Sequence, residues 1–163
     1  DWFPALRDSI PGISDFRPGD APCAFDAAGE PVTCGICYES LLPGPTLAGA
    51  GDATLLVNLT IDVWFGTSTA PWFHLMAQSS RAAELGIPLV RSALTGVSAV
   101  VGADGVPTHT LGLDQEGVLY ADVPLRDVST PFRAAGPWLS WLSGAWVVAL
   151  GLAGWRRRRR PRS

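Results

Sequence analysis

The chain has 163 residues, 47% of them apolar, enough for one ordinary domain with a buried core and too apolar for a disordered chain. Its formal charge of −3 conceals an asymmetry: six of the twelve Arg fall in the last eight positions, and residues 1–155 carry six Arg against fifteen acids, a net of −9. An acidic body excludes nucleic acid as the expected partner, and the absence of Lys excludes every lysine-dependent step from this stretch.

The amino terminus, Asp1-Trp2-Phe3-Pro4, has neither an initiator Met nor the basic and apolar regions of a signal peptide, and is expected to continue from an upstream segment. Residues 1–22 contain Pro4, Pro11, Pro18 and Pro22 without a period and read as a surface loop. A hairpin is expected next, with strand-like runs at 23–26 and 31–37 around Ala27-Ala28-Gly29-Glu30, followed by a Gly/Pro-rich connection. Residues 54–59 form an apolar run of the buried-strand type, and 61–71 are irregular. Over 72–85, Phe73, Leu75, Met76, Ala82, Ala83 and Leu85 recur at mixed spacings compatible with a helix, with Gly86 as its stop. Residues 88–93, 98–102, 106–113 and 117–123 read as strands, with Ala103-Asp104-Gly105 as a hairpin turn. Strand, helix and further strands predict a mixed α/β layer fold over residues 1–136.

Residues 137–155 carry no charge, and at 1.5 Å rise they span roughly 28 Å, close to the hydrocarbon thickness of a bilayer. Trp138 and Trp141 at one end and Trp155 at the other suit the two interfaces. The Arg-rich residues 156–163 follow at once. Each Arg costs about 2.5–3.5 kcal/mol at the membrane centre, so this tail is expected in the cytoplasm and the domain on the other side. The alternative is a buried core helix with a basic tail, since Ser140, Ser143, Gly144, Gly151 and Gly154 dilute the hydrophobicity.

Three Cys are an odd number, so any disulfide leaves at least one thiol free. Cys34-Gly35-Ile36-Cys37 is a CxxC that on its face is a redox pair or half of a zinc site, but Cys23, His74 and His109 show no ligand spacing for the other half, and no metal is expected. The pair sits at the end of a strand rather than opening a helix, and Cys34 reads as a buried small side chain on it. Cys37 differs through its neighbours. A strand ending abruptly in Cys37-Tyr38-Glu39 presents a thiol at a sharp turn, where the next backbone N–H groups point toward a carbonyl under attack.

Further stretches follow in order: Leu55-Leu56-Val57-Asn58-Leu59-Thr60, Asp62-Val63-Trp64-Phe65-Gly66, Pro71-Trp72-Phe73-His74-Leu75, Arg81-Ala82-Ala83-Glu84, Pro88-Leu89-Val90-Arg91 and Thr95-Gly96-Val97-Ser98-Ala99. With Gly35-Ile36-Cys37-Tyr38-Glu39 before them and Gly136-Pro137-Trp138 and the Arg-rich tail after, they cover residues 16–160. In this order and spacing the chain resembles the apolipoprotein N-acyltransferases, membrane-embedded members of the nitrilase, or carbon-nitrogen hydrolase, superfamily. The resemblance implies a partial nitrilase-type αββα sandwich followed by one C-terminal transmembrane helix. It places the protein in a bacterial inner membrane, with the catalytic domain on the periplasmic side.

The resemblance also implies a two-step acyl transfer that uses no cofactor. A glutamate base removes the Cys proton, the thiolate takes a fatty acyl group from a phospholipid as a thioester, and the N-terminal diacylglyceryl-cysteine of a lipoprotein accepts it. Carried over, Cys37 is the nucleophile, Glu39 a positioning residue rather than the base, and the Tyr38 N–H an oxyanion donor. Trp64 and Phe65 fall in a loop near the site mouth, where they would contact an acyl chain or the membrane interface. The family's catalytic Glu and Lys lie upstream of the matched region, so residues 1–163 alone are expected to be inactive. Loss of one preorganised oxyanion donor by itself costs on the order of a hundred- to a thousand-fold in rate. Ile61 and Leu94 stand where the family usually has Asn, and Phe73 where it often has Gln. His74, Asp62 and Arg91 read as intradomain hydrogen-bonding residues. Two other readings are a tail-anchored nitrilase-type amidase and a non-catalytic membrane-tethered binding module.

Overall fold

In the computed structural model, which describes residues 19–125 and 128–158, six strands form a single sheet in chain order. They are β1 (Ala24–Ala27), β2 (Glu30–Ile36), β3 (Leu55–Ile61), β4 (Leu89–Leu94), β5 (Ser98–Val101) and β6 (Pro107–Leu111). β1 and β2 pair antiparallel across a tight turn in which Ala28 and Gly29 both have positive φ (57° and 88°) and Asp26 Oδ1 accepts from the Gly29 N–H at 2.8 Å. β2, β3 and β4 are parallel, whereas β4, β5 and β6 pair antiparallel. The turn expected at residues 103–105 is present, closed by a 2.9 Å bond from the Gly102 N–H to the Val106 carbonyl. Residues 1–18 of the loop expected over 1–22, and the Arg tail from 159 onward, lie outside the described residues.

Parallel neighbours need crossovers, and two helices supply them: α1 (Pro43–Ala50) between β2 and β3, and α2 (Ala70–Leu85) between β3 and β4. α1 stands where only a connection was expected. Its two Pro and two Gly are poor helix formers, but Pro43 occupies the first helical position, where a missing N–H costs nothing, and the Thr46 hydroxyl bonds back to the Leu42 carbonyl at 2.8 Å. α2 begins two residues earlier than predicted and stops at Gly86, whose φ of 70° is the left-handed conformation that closes a helix. Its buried positions are Pro71, His74, Leu75, Gln78, Ser79, Ala82 and Leu85, a regular helical stripe that is half polar.

Residues 117–123 do not form the predicted strand. Val118, Leu119 and Tyr120 are consecutive rather than alternating, and no ladder partner faces them among the described residues; Gly117 to Leu119 instead lie across the sheet beside Val90, Ser92 and Leu111.

The core sits between the sheet and the two crossover helices, where Leu56, Leu75, Leu85, Ile87, Leu89 and Val101 are essentially inaccessible. Burial of each such side chain contributes about 1.5–3 kcal/mol. A short α3 (Pro131–Ala135), capped by the Thr130 hydroxyl accepting from the Arg133 N–H, sets Phe132 against this core and beneath the Arg81 guanidinium. α4 (Trp138–Arg158) then leaves the domain. Residues 138–155 have a mean hydropathy of 1.3 and every side chain exposed, so this helix is long and apolar enough to cross a membrane and is not a core helix of this domain.

The sheet has two unlike faces. Register places Thr33, Gly35, Leu56, Asn58, Thr60, Leu89 and Arg91 together on the helix-covered face, and Ile36, Leu59, Ile61, Ser92 and Leu94 on the other.

Candidate active site

β2 ends at Ile36, and Cys37 opens a 3-10 helix (Cys37–Leu41), so the second Cys of the CxxC does begin a helical turn, contrary to the strand-end placement expected for both. Cys37 has φ 50°, a left-handed conformation that costs a non-glycine residue about 1–3 kcal/mol and is held only where surrounding contacts enforce it. Those contacts converge on its carbonyl. The Ser40 hydroxyl donates to it at 3.1 Å, Asn58 Nδ2 at 3.3 Å and Gln78 Nε2 at 3.5 Å.

Because the Cys37–Tyr38 peptide is planar and trans, tying its carbonyl into the interior turns the Tyr38 N–H the opposite way. As the second residue of the 3-10 helix, Tyr38 precedes the first intrahelical bond, so its N–H is left for an acceptor from outside the helix. Glu39 does a different job. Its Oε2 accepts from the Ile36 N–H at 3.0 Å, bridging the end of the strand to the start of the turn.

Beneath the turn lies a buried polar network. Arg91, fully enclosed, donates from Nε to the Val97 carbonyl at 2.9 Å, from Nη1 to Gln78 Oε1 at 2.6 Å and Asn58 Oδ1 at 3.3 Å, and from Nη2 to Asp62 Oδ2 at 2.5 Å. Burial pulls the guanidinium below its ordinary value, and the Asp62 carboxylate opposes that shift. Asp62 Oδ1 also lies 2.9 Å from His74 Nδ1 and accepts from the Thr60 hydroxyl at 3.2 Å. With the proton on Nδ1, His74 leaves Nε2 to accept from Gln78 Nε2 at 3.1 Å, which satisfies both neighbours. Gly96 is required beside this pair, since a Cβ there would stand 2.4 Å from Asp62 Oδ2. The chain of contacts thus runs from Asp62 and Arg91 through Asn58 and Gln78 to the Cys37 carbonyl.

Above the turn, at the carboxyl ends of β2, β3 and β4, opens a cleft of about 440 Å³ lined by Ile36, Cys37, Leu59, Thr60, Ile61, Trp64, Ser92, Ala93 and Leu94. Crevices at the carboxyl ends of parallel strands are the usual ligand sites of open α/β sheets. Ile61 and Leu94 are register partners, so two of the three positions expected to depart from the family pattern stand side by side in the cleft; Phe73 is exposed on α2 and does not line it. The predicted pair Trp64 and Phe65 is split. Trp64 lines the cleft and is 71% exposed, while Phe65 sets its ring edge-on to His74 with centroids 5.9 Å apart. Among the described residues no group of His, Cys, Asp and Glu could hold a metal.

Sequence reasoning singled out Cys37, Tyr38 and Glu39, which the structure brings into one turn, but assigned nothing to Ser40, Asn58, Thr60 or Gln78. The available signal was the spacing of Pro71, His74, Gln78 and Ala82, a helical stripe that appears only when polar residues are counted with apolar ones.

The carbon-nitrogen hydrolase family model matches residues 12–130. An apolipoprotein N-acyltransferase of Bradyrhizobium diazoefficiens is 43% identical over 124 residues, covering 76% of this chain and 22% of that protein. One from Geobacter metallireducens is 34% identical over 150 residues, covering 90% and 29%. The chain therefore spans less than a third of the length of these relatives. Among solved structures, a carbon-nitrogen hydrolase from Helicobacter pylori G27 superposes with a TM-score of 0.59 at 21% identity, over 68% of this chain and 46% of that one, a likeness of fold. A mutant of the amidase from Nesterenkonia sp. AN1, with acrylamide added at its active-site cysteine, gives 0.56 at 26% identity over 80% and 51%. Sheet order, crossover helices and the matched residues agree: the chain belongs to the carbon-nitrogen hydrolase family and is similar to its apolipoprotein N-acyltransferase members.

Proposed function

We propose that this chain is the part of an apolipoprotein N-acyltransferase that carries the nucleophile, Cys37. The observation that bears most weight is a thiol at a left-handed turn that opens onto an apolar cleft. Leu59, Ile61 and Leu94 suit a fatty acyl chain better than a small polar amide, and this favours acyl transfer over the amidase reading.

In the proposed reaction the Cys37 thiolate attacks the ester carbonyl of a phospholipid. The tetrahedral oxyanion is met by the Tyr38 N–H, the lysophospholipid departs, and the Cys37 thioester remains. The free amine of a diacylglyceryl-cysteine lipoprotein then attacks the thioester, forming the amide and releasing the thiol. Glu39 positions the turn. Trp64 forms part of the acyl-chain wall, and Phe65 braces His74 beneath it. The proton-abstracting Glu and the cationic Lys of the family would come from an upstream segment, together with the remaining layers of the sandwich. α4 crosses the bacterial inner membrane with its Arg tail in the cytoplasm and the domain on the periplasmic side.

The test is transfer of a labelled acyl chain from phospholipid vesicles to a diacylglyceryl-cysteine peptide. Transfer is expected from a protein that includes the upstream segment and not from residues 1–163 alone. Turnover of a small soluble amide with no transfer would instead establish the amidase. Neither transfer nor amide turnover from the protein with its upstream segment would leave only the binding module, and unchanged transfer in a Cys37→Ala variant would take the nucleophile's role away from Cys37.

A further inference from the structure

Cys23 and Cys34 take no part in the site built around Cys37, yet the fold brings them together. The β1–β2 ladder pairs Ala24 with Thr33, and one step further along the same register sets Cys23 opposite Cys34. That step is made: the Cys34 N–H donates to the Cys23 carbonyl at 3.2 Å, and the Thr33 hydroxyl donates to the same carbonyl at 3.0 Å. Hydrogen-bonded antiparallel partners have Cα atoms about 5.5 Å apart, inside the window of roughly 4.4–6.8 Å that a disulfide requires. Both side chains line an open cleft of about 610 Å³ that also contains Gly35, Glu39 and Ser40, so a small disulfide in solution has access to them. Cys37 has left the ladder by its turn.

We propose that Cys23 and Cys34 are a disulfide-forming pair, a covalent staple between β1 and the strand that delivers Cys37. The staple keeps Cys34 from forming the competing CxxC bond with Cys37. In the first step the exposed Cys23, as thiolate, attacks one sulfur of an external disulfide and displaces one thiolate. Cys34 then loses its proton, attacks the Cys23 sulfur of the mixed disulfide and displaces the second. Two protein thiols are oxidised, and one external disulfide is reduced to two thiols that carry away the two protons. Cys23 is the entry point because burial, together with its own proximity, pushes the Cys34 thiol up to about 11.

The inference is independent of the reaction assigned to Cys37. The test is treatment of the detergent-solubilised protein with oxidised glutathione, trapping of free thiols with iodoacetamide, and peptide mass spectrometry. Chymotryptic cleavage after Phe25 and Tyr38 leaves Cys23 in one peptide and Cys34 with Cys37 in another, and fragmentation between Cys34 and Cys37 locates the bridge. The expected result is a linked peptide pair, 2 Da lighter than the sum of its thiol forms, with the bond on Cys34 and iodoacetamide on Cys37. A bond between Cys34 and Cys37 would overturn the proposal. So would glutathione adducts without a link, or alkylation of both Cys23 and Cys34 after saturating oxidant.

Discussion

The two faces of the sheet invert the usual relation between polarity and burial. On the helix-covered face, Asn58, Asp62, His74, Gln78 and Arg91 are all 5% exposed or less, deeper than many apolar residues of the chain. On the other, Ile36, Leu59, Ile61 and Leu94 are 43–64% exposed although they sit on strands. A polar group buried without partners costs about 1–3 kcal/mol, and a charged one more, so the first face persists only because its network is mutually satisfied. Exposed apolar residues clustered on one strand end mark a contact surface rather than a structural need. Cys37 stands on the boundary, its carbonyl tied into the first region while the residue lines the cleft of the second.

The comparison breaks most readily at the ion pair. Asp62→Ala leaves Arg91 enclosed without its carboxylate, and the expected loss is about 3–5 kcal/mol of stability, measured by denaturant unfolding in detergent. A loss below about 1 kcal/mol would mean that water reaches the network. On the strand leading to the turn, Cys34 is lifted from the ordinary 9.0 to about 11, chiefly by burial. Its reduced thiol is expected to alkylate about a hundred-fold more slowly at pH 8 than an unperturbed one, gaining roughly tenfold per pH unit until pH 10. The linkage runs the same way: a raised folded-state value contributes stability below 9.0 that is lost as pH rises through 11.

Smaller effects separate positioning from packing. Asn58→Ala removes a donor from the Cys37 carbonyl, and kcat is expected to fall roughly tenfold with KM little changed, since the Tyr38 N–H loses its fixed direction. A fall in the folded fraction, measured by unfolding, that matches the fall in kcat would instead indicate a general loss of fold. Smallest of all, the double replacement Ile61→Asn with Leu94→Asn in the open cleft should alter stability by no more than about 0.5 kcal/mol while raising KM for long acyl donors several-fold. A large loss of stability would show that the pair is structural.

The strands β1 to β6, the span of α2 and its Gly86 stop were legible because each follows a local period or a local breaker. α1 was not, because Pro43, Gly44, Pro45 and Gly49 give no helical signal, and its position follows from the crossover that parallel β2 and β3 demand. The run at 117–123 misled for the opposite reason: apolar composition suggested a strand where no partner strand exists among the described residues. At the site, the Cys37 turn was legible from Cys37-Tyr38-Glu39, whereas Asn58 and Gln78 were not. They matter through bonds to a carbonyl 21 and 41 residues away, and no local pattern encodes those. Glu39 was read as a positioning residue, and its carboxylate is found on the Ile36 N–H, bridging strand and turn.

In the proposed reaction Cys37 carries the acyl group. The most direct measurement is intact and peptide mass spectrometry of the protein, with the upstream segment present, after incubation with phospholipid and no acceptor. A fatty acyl adduct is expected on Cys37, released by neutral hydroxylamine as a thioester must be, and absent from Cys37→Ala. An adduct on another residue, or acyl transfer that persists in Cys37→Ala, would contradict it.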